Sequence, residues 1–266
     1  DDNFDNKLCV TSQHNEMLHD VLSLFNLVAD FDLDVMSPNQ NLSLLSALIL
    51  ERMSAVFVNY RPDCVLVHGD TTTALMAALS AYYHKLPIIH IEAGLRTDDI
   101  YAPWPEEINR KLTDSLSVLH FAPTNNARRN LLAEGIKAAS IFVSGNTVID
   151  ALFDICETIK SNPGIQQSLI KQFPYLKKER KFLLVTLHRR ENFGTGCKHI
   201  CLALRRIADL YKDVDIIFPM HLNPNVQRTA RPILENIANV YLIAPVDYLC
   251  FVYLMQQAYI ILTDSG

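Results

Sequence analysis

Short apolar runs alternate with helical patterns along nearly the whole chain, and this alternation limits the folds available to it. Cys64–His68 and Lys181–Thr186 are largely apolar segments of strand length, typical of buried strands. Between such segments apolar residues recur at helical spacing, as in Leu42–Tyr60. Strands separated by helices form parallel sheets with right-handed crossovers. The sequence therefore predicts an α/β protein built on parallel sheets.

The alternation runs in two series joined by a polar segment. The first predicted domain spans residues 1–145 and the second 181–266, with a helix and connector over 146–180. Pro163 and Gly164 interrupt the helical pattern in that connector. Two such series predict two Rossmann-like domains with a cleft between them. In open α/β sheets, ligands bind beyond the carboxyl ends of the strands.

The net charge and the cysteine content indicate which binding partners and which cellular compartment to expect for this protein. A net charge of −5 does not indicate a nucleic-acid partner, and the acidic start of the chain is unlike a signal peptide. No continuous apolar run approaches the roughly 18 residues of a membrane span. The six cysteines contain no Cys-x-x-Cys pair, so we expect free thiols and no metal site. We therefore predict a cytoplasmic protein without nucleic-acid or membrane partners.

Charged residues follow the predicted strands, where a ligand would bind. Asp70 and Glu92 come after two successive strands of the first series. Glu106 lies in the first turn of a helix that we expect to begin at Pro105, since proline is favoured at the first helical position. His188 follows a strand of the second series. Carboxylates can move protons, and a histidine or arginine can stabilise a leaving diphosphate.

Each carboxylate also has a structural interpretation that the sequence leaves open. Asp70 could cap the helix that follows it, and Glu92 could pair with Arg96. Glu106 and Glu107 could serve only the dipole of the helix that they open. The coincidence of several charged groups at strand ends nevertheless favours a functional site.

The histidines have structural alternatives as well. His188 could be a structural hydrogen-bond donor. His68 and His90 stand inside apolar strands, so we expect them in the core or in the wall of the cleft.

Seven longer motifs extend over nearly the whole chain: His68–Thr73, His90–Thr97, Trp104–Arg110, Ser144–Leu152, His188–Gly194, His221–Val226 and Leu262–Gly266. In wording and order they resemble the non-hydrolysing UDP-N-acetylglucosamine 2-epimerases of bacteria. Motifs of this length are far more specific than a lone Gly-x-Gly-x-x-Gly.

The resemblance implies a fold similar to that of the B-type glycosyltransferases. It also implies the interconversion of UDP-GlcNAc and UDP-ManNAc by anti elimination of UDP to 2-acetamidoglucal and syn re-addition. That reaction needs no cofactor, metal or nicotinamide. The resemblance further implies a homodimer that supplies cell-surface polysaccharide biosynthesis.

Matched by motif, Asp70, Glu92 and Glu106 resemble the family's acid/base carboxylates, and His188 resembles the cation beside the diphosphate. The residues that resemble substrate-binding positions are Arg189, Phe251, Ser265 and Gly266. The residues that match the region binding a second, activating UDP-GlcNAc are Gln13, Glu16 and His221.

The resemblance also bears on the two ends of the sequence. The family opens with a strand and a Gly-Thr-Arg-Pro-Glu loop, and it continues past the motif that contains Ser265 and Gly266. We therefore expect both domains to be incomplete within residues 1–266.

Three other functions remain open at this point. A hydrolysing relative would share the elimination step but release free ManNAc. A B-type glycosyltransferase would need an acceptor pocket. A non-catalytic nucleotide-sugar-binding protein would need neither proton transfer nor an acceptor.

Overall fold

The computed structural model describes residues 3–12, 15–37, 40–176, 179–187, 194–220 and 223–264. It confirms the predicted α/β class with parallel sheets. The chain divides into two compact units, residues 1–150 and 151–266. Each unit carries its own four-stranded parallel sheet and its own buried apolar core.

The first unit contains two parallel sheets. Its strands are β1 (Cys9–Val10), β2 (Phe31–Asp32), β3 (Val65–His68), β4 (Ile88–Ile91), β5 (Leu119–Ala122) and β6 (Ile141–Val143). The larger sheet has the order β3-β4-β5-β6, and β1 pairs with β2 in a separate two-stranded sheet. The helices are α1 (Asn15–Leu24), α2 (Leu42–Asn59), α3 (Thr72–Tyr83), α4 (Glu106–Leu116), α5 (Asn125–Ala133) and α6 (Thr147–Ser161), which runs into the second unit.

Short polar side chains fix the starts of several helices in the first unit. Asn41, Thr71 and Thr124 each accept a hydrogen bond from the backbone N–H three residues on, at 2.8, 3.2 and 3.1 Å. These bonds satisfy N–H groups that have no partner within the helix. Because Thr71 caps α3, its neighbour Asp70 does not have to.

Helix α2 is long and apolar enough, by length and composition, to cross a membrane. Its apolar residues nevertheless include Ile49 and Met53, which are buried in the core of the first unit beside Val67 of the sheet. That packing is typical of a core helix in a globular unit.

The second unit repeats the design with the strand order β10-β7-β8-β9, all parallel. Its strands are β7 (Lys181–Thr186), β8 (Val214–Pro219), β9 (Val240–Ile243) and β10 (Ile260–Thr263). Its helices are α7 (Pro163–Gln172), α8 (Thr195–Leu210), α9 (Pro224–Leu234) and α10 (Tyr248–Gln257). The core lies between the sheet and helices α8 and α9, where Phe218, Leu204 and Leu234 are almost fully buried.

The structure differs from the sequence-based expectations at three places. The polar connector expected within residues 146–180 contains helix α7, because the Asn162 side chain accepts hydrogen bonds from Gly164 N and Ile165 N. Pro105 immediately precedes α4 instead of occupying its first position. All six cysteines are free, as expected, but Cys64 is exposed, because it precedes β3 instead of lying within it.

Gly94 is required where the end of β4 meets α5. Its φ is +85°, and a Cβ at this position would overlap the carbonyl oxygen of Ala127 and lie 2.8 Å from Leu131 Cγ. Gly135 has a similar φ of +86°, but no atom lies within 4 Å of where its Cβ would be. Comparing substitutions at these two glycines therefore distinguishes the effect of backbone strain from that of steric overlap.

We expect Gly135→Ala to lower the free energy of unfolding by about 1–2 kcal/mol, the cost of left-handed backbone for an L-residue. Gly94→Ala should cost a further ~1–3 kcal/mol, because the backbone of α5 must also move. Urea unfolding of both variants measures the difference. Equal losses in the two variants would show that Gly94 is needed only for its backbone conformation.

Candidate active site

Asp70, Glu92 and Glu106 lie together at one edge of the larger sheet of the first unit. β3 and β4 are parallel neighbours, so their carboxyl ends meet at the same edge. The hydrogen bond from Gly69 N to Ile91 O (2.9 Å) continues their pairing to this edge. The charges of Glu92 and Glu106 both act on Asp70. The structure thus brings the three predicted carboxylates into one cluster.

Asp70 is anchored by helix α4. Its Oδ2 lies 2.7 Å from Arg110 Nη2, and its backbone oxygen accepts a hydrogen bond from Asn109 Nδ2 at 2.9 Å. Burial raises the pKa of Asp70; the Arg110 charge opposes this, whereas Glu106 and Glu92 raise the pKa further. The surroundings of Asp70 therefore raise its pKa above the ordinary value of a carboxyl group.

Glu92 has the opposite environment. Its Oε2 lies 3.1 Å from His68 Nε2, and Asn146 also hydrogen-bonds to its carboxylate. The hydrogen bond from His68 lowers the pKa of Glu92; burial opposes this, and the charges of His68 and Arg110 add to the lowering. The surroundings therefore shift the pKa values of Glu92 and Asp70 in opposite directions.

Arg96 does not pair with Glu92, so one structural interpretation of Glu92 is excluded. The Arg96 guanidinium instead makes two hydrogen bonds to Glu134, at 2.7 and 2.6 Å, and a third to Asp114 Oδ2 at 2.7 Å. Only 3% of its side chain is exposed. Arg96 and its buried partner Asp114 therefore form a structural layer beneath the carboxylate cluster.

His90 connects the cluster to this structural layer and is fully buried, in keeping with its expected place in the core or cleft wall. Its Nδ1 lies 2.6 Å from Asp114 Oδ1, and its Nε2 lies 2.8 Å from the Gly69 oxygen. Burial would raise the pKa of Asp114, but hydrogen bonds from His90 and Arg96, with their charges, hold it below its ordinary value. The ring of His90 therefore bridges Asp114 of α4 and the backbone after β3.

Glu107 is a buried carboxylate that the motif analysis did not separate from Glu106. It accepts hydrogen bonds from the backbone N–H groups of Thr97 (3.2 Å) and Asp98 (3.3 Å). Arg110 and Lys111 each place a nitrogen 3.6 Å from its carboxylate. Glu107 therefore ties the loop after β4 to the first turn of α4, a role well beyond the helix dipole.

The spacing of charged residues in the sequence indicates this role of Glu107. Glu107, Arg110, Lys111 and Asp114 recur at spacings of three and four residues, which places them on one face of α4. Glu107, Arg110 and Asp114 on that face are buried, whereas Ile108 and Leu112 are exposed. Polar residues on the buried face of a helix indicate a network that serves a site.

Several predicted site residues lie outside the described part of the chain: Gln13, His188, Arg189, His221, Ser265 and Gly266. Glu16 lies in α1, but its side chain is not described. Phe251 is half-buried in the first turn of α10, behind an N-cap in which Asp247 accepts a hydrogen bond from Cys250 N at 2.7 Å. Among the residues that the structure describes, no cluster of three His, Cys, Asp or Glu could hold a metal ion.

Comparison with known proteins identifies relatives along the full chain. A family model for UDP-N-acetylglucosamine 2-epimerase matches residues 1–266. The UDP-N-acetylglucosamine 2-epimerase of Yersinia pestis is 51% identical over 266 residues, which are 100% of this chain and 71% of the relative. UDP-GlcNAc 2-epimerase from Neisseria meningitidis, in a crystal structure bound to UDP-GlcNAc, is 49% identical with a TM-score of 0.93. That match covers 98% of this chain and 70% of the Neisseria chain.

A more distant likeness concerns the fold alone. An α,α-trehalose-phosphate synthase (UDP-forming) from Burkholderia vietnamiensis is 14% identical, with a TM-score of 0.51. The match covers 93% of this chain and 62% of that one. It agrees with the predicted fold of two Rossmann-like domains similar to the B-type glycosyltransferases.

Adjacent glutamates at the start of α4 provide a matched test of the structural layer. We expect Glu107→Gln to lower the free energy of unfolding by about 3 kcal/mol, because it removes a fully buried carboxylate that faces Arg110 and Lys111 and accepts hydrogen bonds from the loop after β4. Glu106→Gln, a half-buried position one residue away, should change it by less than about 0.5 kcal/mol. Urea denaturation of both variants decides the point. A Glu107→Gln protein as stable as the wild type would show that the carboxylate does not hold the loop.

Proposed function

Because this chain belongs to the UDP-N-acetylglucosamine 2-epimerase family, we propose that it interconverts UDP-GlcNAc and UDP-ManNAc by inverting C2 without releasing free ManNAc. The observation that carries the proposal is the cluster of Asp70, Glu92 and Glu106 in contrasting environments. Inversion at C2 requires that a proton leave one face of the sugar and return to the other. A cluster in which two carboxylates have pKa values shifted in opposite directions suits that requirement.

The chemistry proceeds by elimination. The C2 hydrogen is not adjacent to a carbonyl carbon, so simple deprotonation would leave an unstabilised carbanion. Loss of UDP avoids this: the C2–H bond breaks, its electron pair forms the C1=C2 double bond, and the C1–O bond breaks as UDP leaves. The anti elimination gives 2-acetamidoglucal, and syn re-addition of UDP with protonation at C2 gives the epimer. No redox cofactor enters this balance.

The second unit would hold the nucleotide. His188 and Arg189 would place positive charge beside the departing diphosphate, and Ser265 and Gly266 would contact its phosphates. Phe251 would lie against the uracil. These assignments rest on the motif matches, and their support is the match of the family model to residues 1–266.

We also propose a second, activating molecule of UDP-GlcNAc bound by Gln13, Glu16 and His221, again from the motif match. A cytoplasmic location is supported by the six free cysteines, which are typical of a reducing compartment. A nucleotide-activated ManNAc is a precursor for glycosyl transfer, which supports a role in cell-surface polysaccharide biosynthesis.

We propose that the functional form is a homodimer. The first unit exposes large apolar side chains on α2 and α3, among them Leu44, Val58 and Tyr83 at 49, 73 and 67% exposure. Apolar residues in such numbers at a surface favour burial against a partner, and a second copy is the commonest one.

A change of charge on this surface tests the dimer. We expect Val58→Asp to convert the protein to a monomer in sedimentation experiments, because the new carboxylate would be desolvated in the interface. Leu210→Asp is the matched control: Leu210 ends α8 in the second unit and is 66% exposed. It should leave the dimer intact. A wild-type protein that sediments as a monomer would exclude the proposal.

Solvent isotope incorporation tests the reaction itself. We expect the protein, expressed from its own reading frame and incubated with UDP-GlcNAc in heavy water, to place deuterium at C2 of both UDP-sugars. The reason is that the proton passes through a carboxyl group that exchanges with water. Glu92→Gln should reduce incorporation by at least about a hundredfold, because an amide cannot carry the proton. Mass spectrometry and proton NMR of the sugars measure the label.

The same experiment separates the alternatives. Labelled free ManNAc as the sole product would identify a hydrolysing enzyme. Binding of UDP-GlcNAc with no label at C2 would identify a glycosyltransferase or a non-catalytic nucleotide-sugar-binding protein. UDP-ManNAc that retained its original C2 hydrogen would exclude proton transfer through an exchangeable carboxylate.

A further inference from the structure

We infer that His68 is a positioning residue, which orients the Glu92 carboxylate as the group that accepts the C2 proton in one direction of the reaction. The inference rests on the proposed function and deepens it, since it assigns the proton acceptor within the carboxylate cluster. In the step concerned, the proton leaves C2 and forms an O–H bond on Glu92, while the C–H electron pair forms the C1=C2 double bond and UDP leaves C1. His68 acts through Glu92 and touches none of these atoms.

The placement of His68 follows from the pairing of two strands. His68 is the last residue of β3 and lies opposite Ile91, the last residue of β4. Glu92 is the next residue after Ile91, and its Oε2 lies 3.1 Å from His68 Nε2. The contact is thus built from the ends of two neighbouring strands that are hydrogen-bonded to each other.

Exposure separates His68 from the other histidines of the sheet. Its side chain is 53% exposed, whereas His90 and His120 on β4 and β5 are buried. A half-exposed side chain contributes little to the core, so filling space does not explain its position. The hydrogen bond to Glu92 is the interaction that accounts for the position of His68.

The backbone at Glu92 shows that its side chain is held in a particular direction. Glu92 has φ +70°, which is unusual for a residue other than glycine. A Cβ on Gly69 would lie 3.7 Å from Glu92 Oε2, so the carboxylate lies against the bare backbone of Gly69. Strained backbone of this kind clusters at functional sites, where the surroundings hold it in place. His68 and Asn146 are the hydrogen-bonding side chains that hold the carboxylate.

The charges around the pair define the pH range in which it is intact. The hydrogen bond to Glu92 raises the pKa of His68 against burial, and Asp70 adds a smaller raising effect. Arg110 acts on Glu92 in the same direction as His68. The ion pair is therefore lost as the pH rises through the raised pKa of His68, and as it falls through the lowered pKa of Glu92. Over the range between them, Glu92 is ionised and able to accept a proton.

The pH dependence of turnover tests the inference. His68→Gln keeps a neutral hydrogen-bond donor but removes the charge, so burial then raises the pKa of Glu92. We expect the acid limb of kcat/KM to move up by about one pH unit, which is a roughly tenfold loss on that limb. KM at the optimum should stay within about twofold, because His68 does not touch the substrate.

His84→Gln is the matched control. His84 is also hydrogen-bonded, to Ser54 Oγ at 2.8 Å, but it lies after the far end of α3, about 18 Å of helix from the cluster. The pH profile of kcat/KM for the His84→Gln protein should match that of the wild type. An unchanged acid limb in His68→Gln, with an active wild type, would overturn this inference and leave the proposed function standing. A wild type that places no deuterium at C2 would overturn the proposed function and this role with it.

A second measurement does not depend on turnover. The imidazole C–H resonances of His68 can be followed by NMR through a pH titration of the chain. Glu92→Gln should lower the pKa of His68 towards its ordinary value, because the raising hydrogen bond and charge are removed. An identical titration in the wild type and in a folded Glu92→Gln protein would show that the pair does not form, and would overturn the inference.

Discussion

The candidate site depends on a single buried carboxylate, Asp114, of which 2% is exposed. Its two oxygens accept hydrogen bonds from His90, from Arg96 and from Gly94 N. His90 in turn donates to the oxygen of Gly69. One side chain of α4 thereby fixes the backbone after β3 and after β4, the two segments that carry Asp70 and Glu92. Without Asp114, the backbone after β3 and after β4 would lose this shared buried anchor.

Such a network contributes more to arrangement than to stability. Removing one partner of a buried ion pair costs about 3–5 kcal/mol, although an apolar replacement of the whole network would often be neutral. The network matters because it positions the two carboxylates above it, Asp70 and Glu92. Asp70 and Glu92 are 30 and 27% exposed, so they can reach a ligand, yet each is held by a charged partner, Arg110 or His68. A buried, hydrogen-bonded set of residues thus supports two partly exposed carboxylates.

Much of the fold could be predicted from the sequence, because strand-length apolar runs and capping residues are local signals. Strand β7 has the bounds that the sequence predicts, and helix α2 ends one residue before the end of the predicted Leu42–Tyr60. Helix α7 was missed, because Pro163 and Gly164 normally mark a break. At the first turn of a helix, however, proline loses nothing by lacking an N–H, and the Asn162 side chain satisfies the next N–H groups. A capping residue directly before a proline was the overlooked signal.

Of the candidate site, only the carboxylates of the cluster could be predicted from the sequence. A parallel sheet brings its strand ends together whatever the loops do, so Asp70 and Glu92 could be placed from the alternation alone. The partner of Asp70 could not, since Arg110 lies 40 residues beyond Asp70 and is brought to it by the packing of α4. Glu106 and Glu107 show the limit most clearly. They differ by about 100° around the helix axis, which places one in the cluster and the other beneath the loop. Neighbours in sequence with identical chemistry thus take different roles because the helix turns between them.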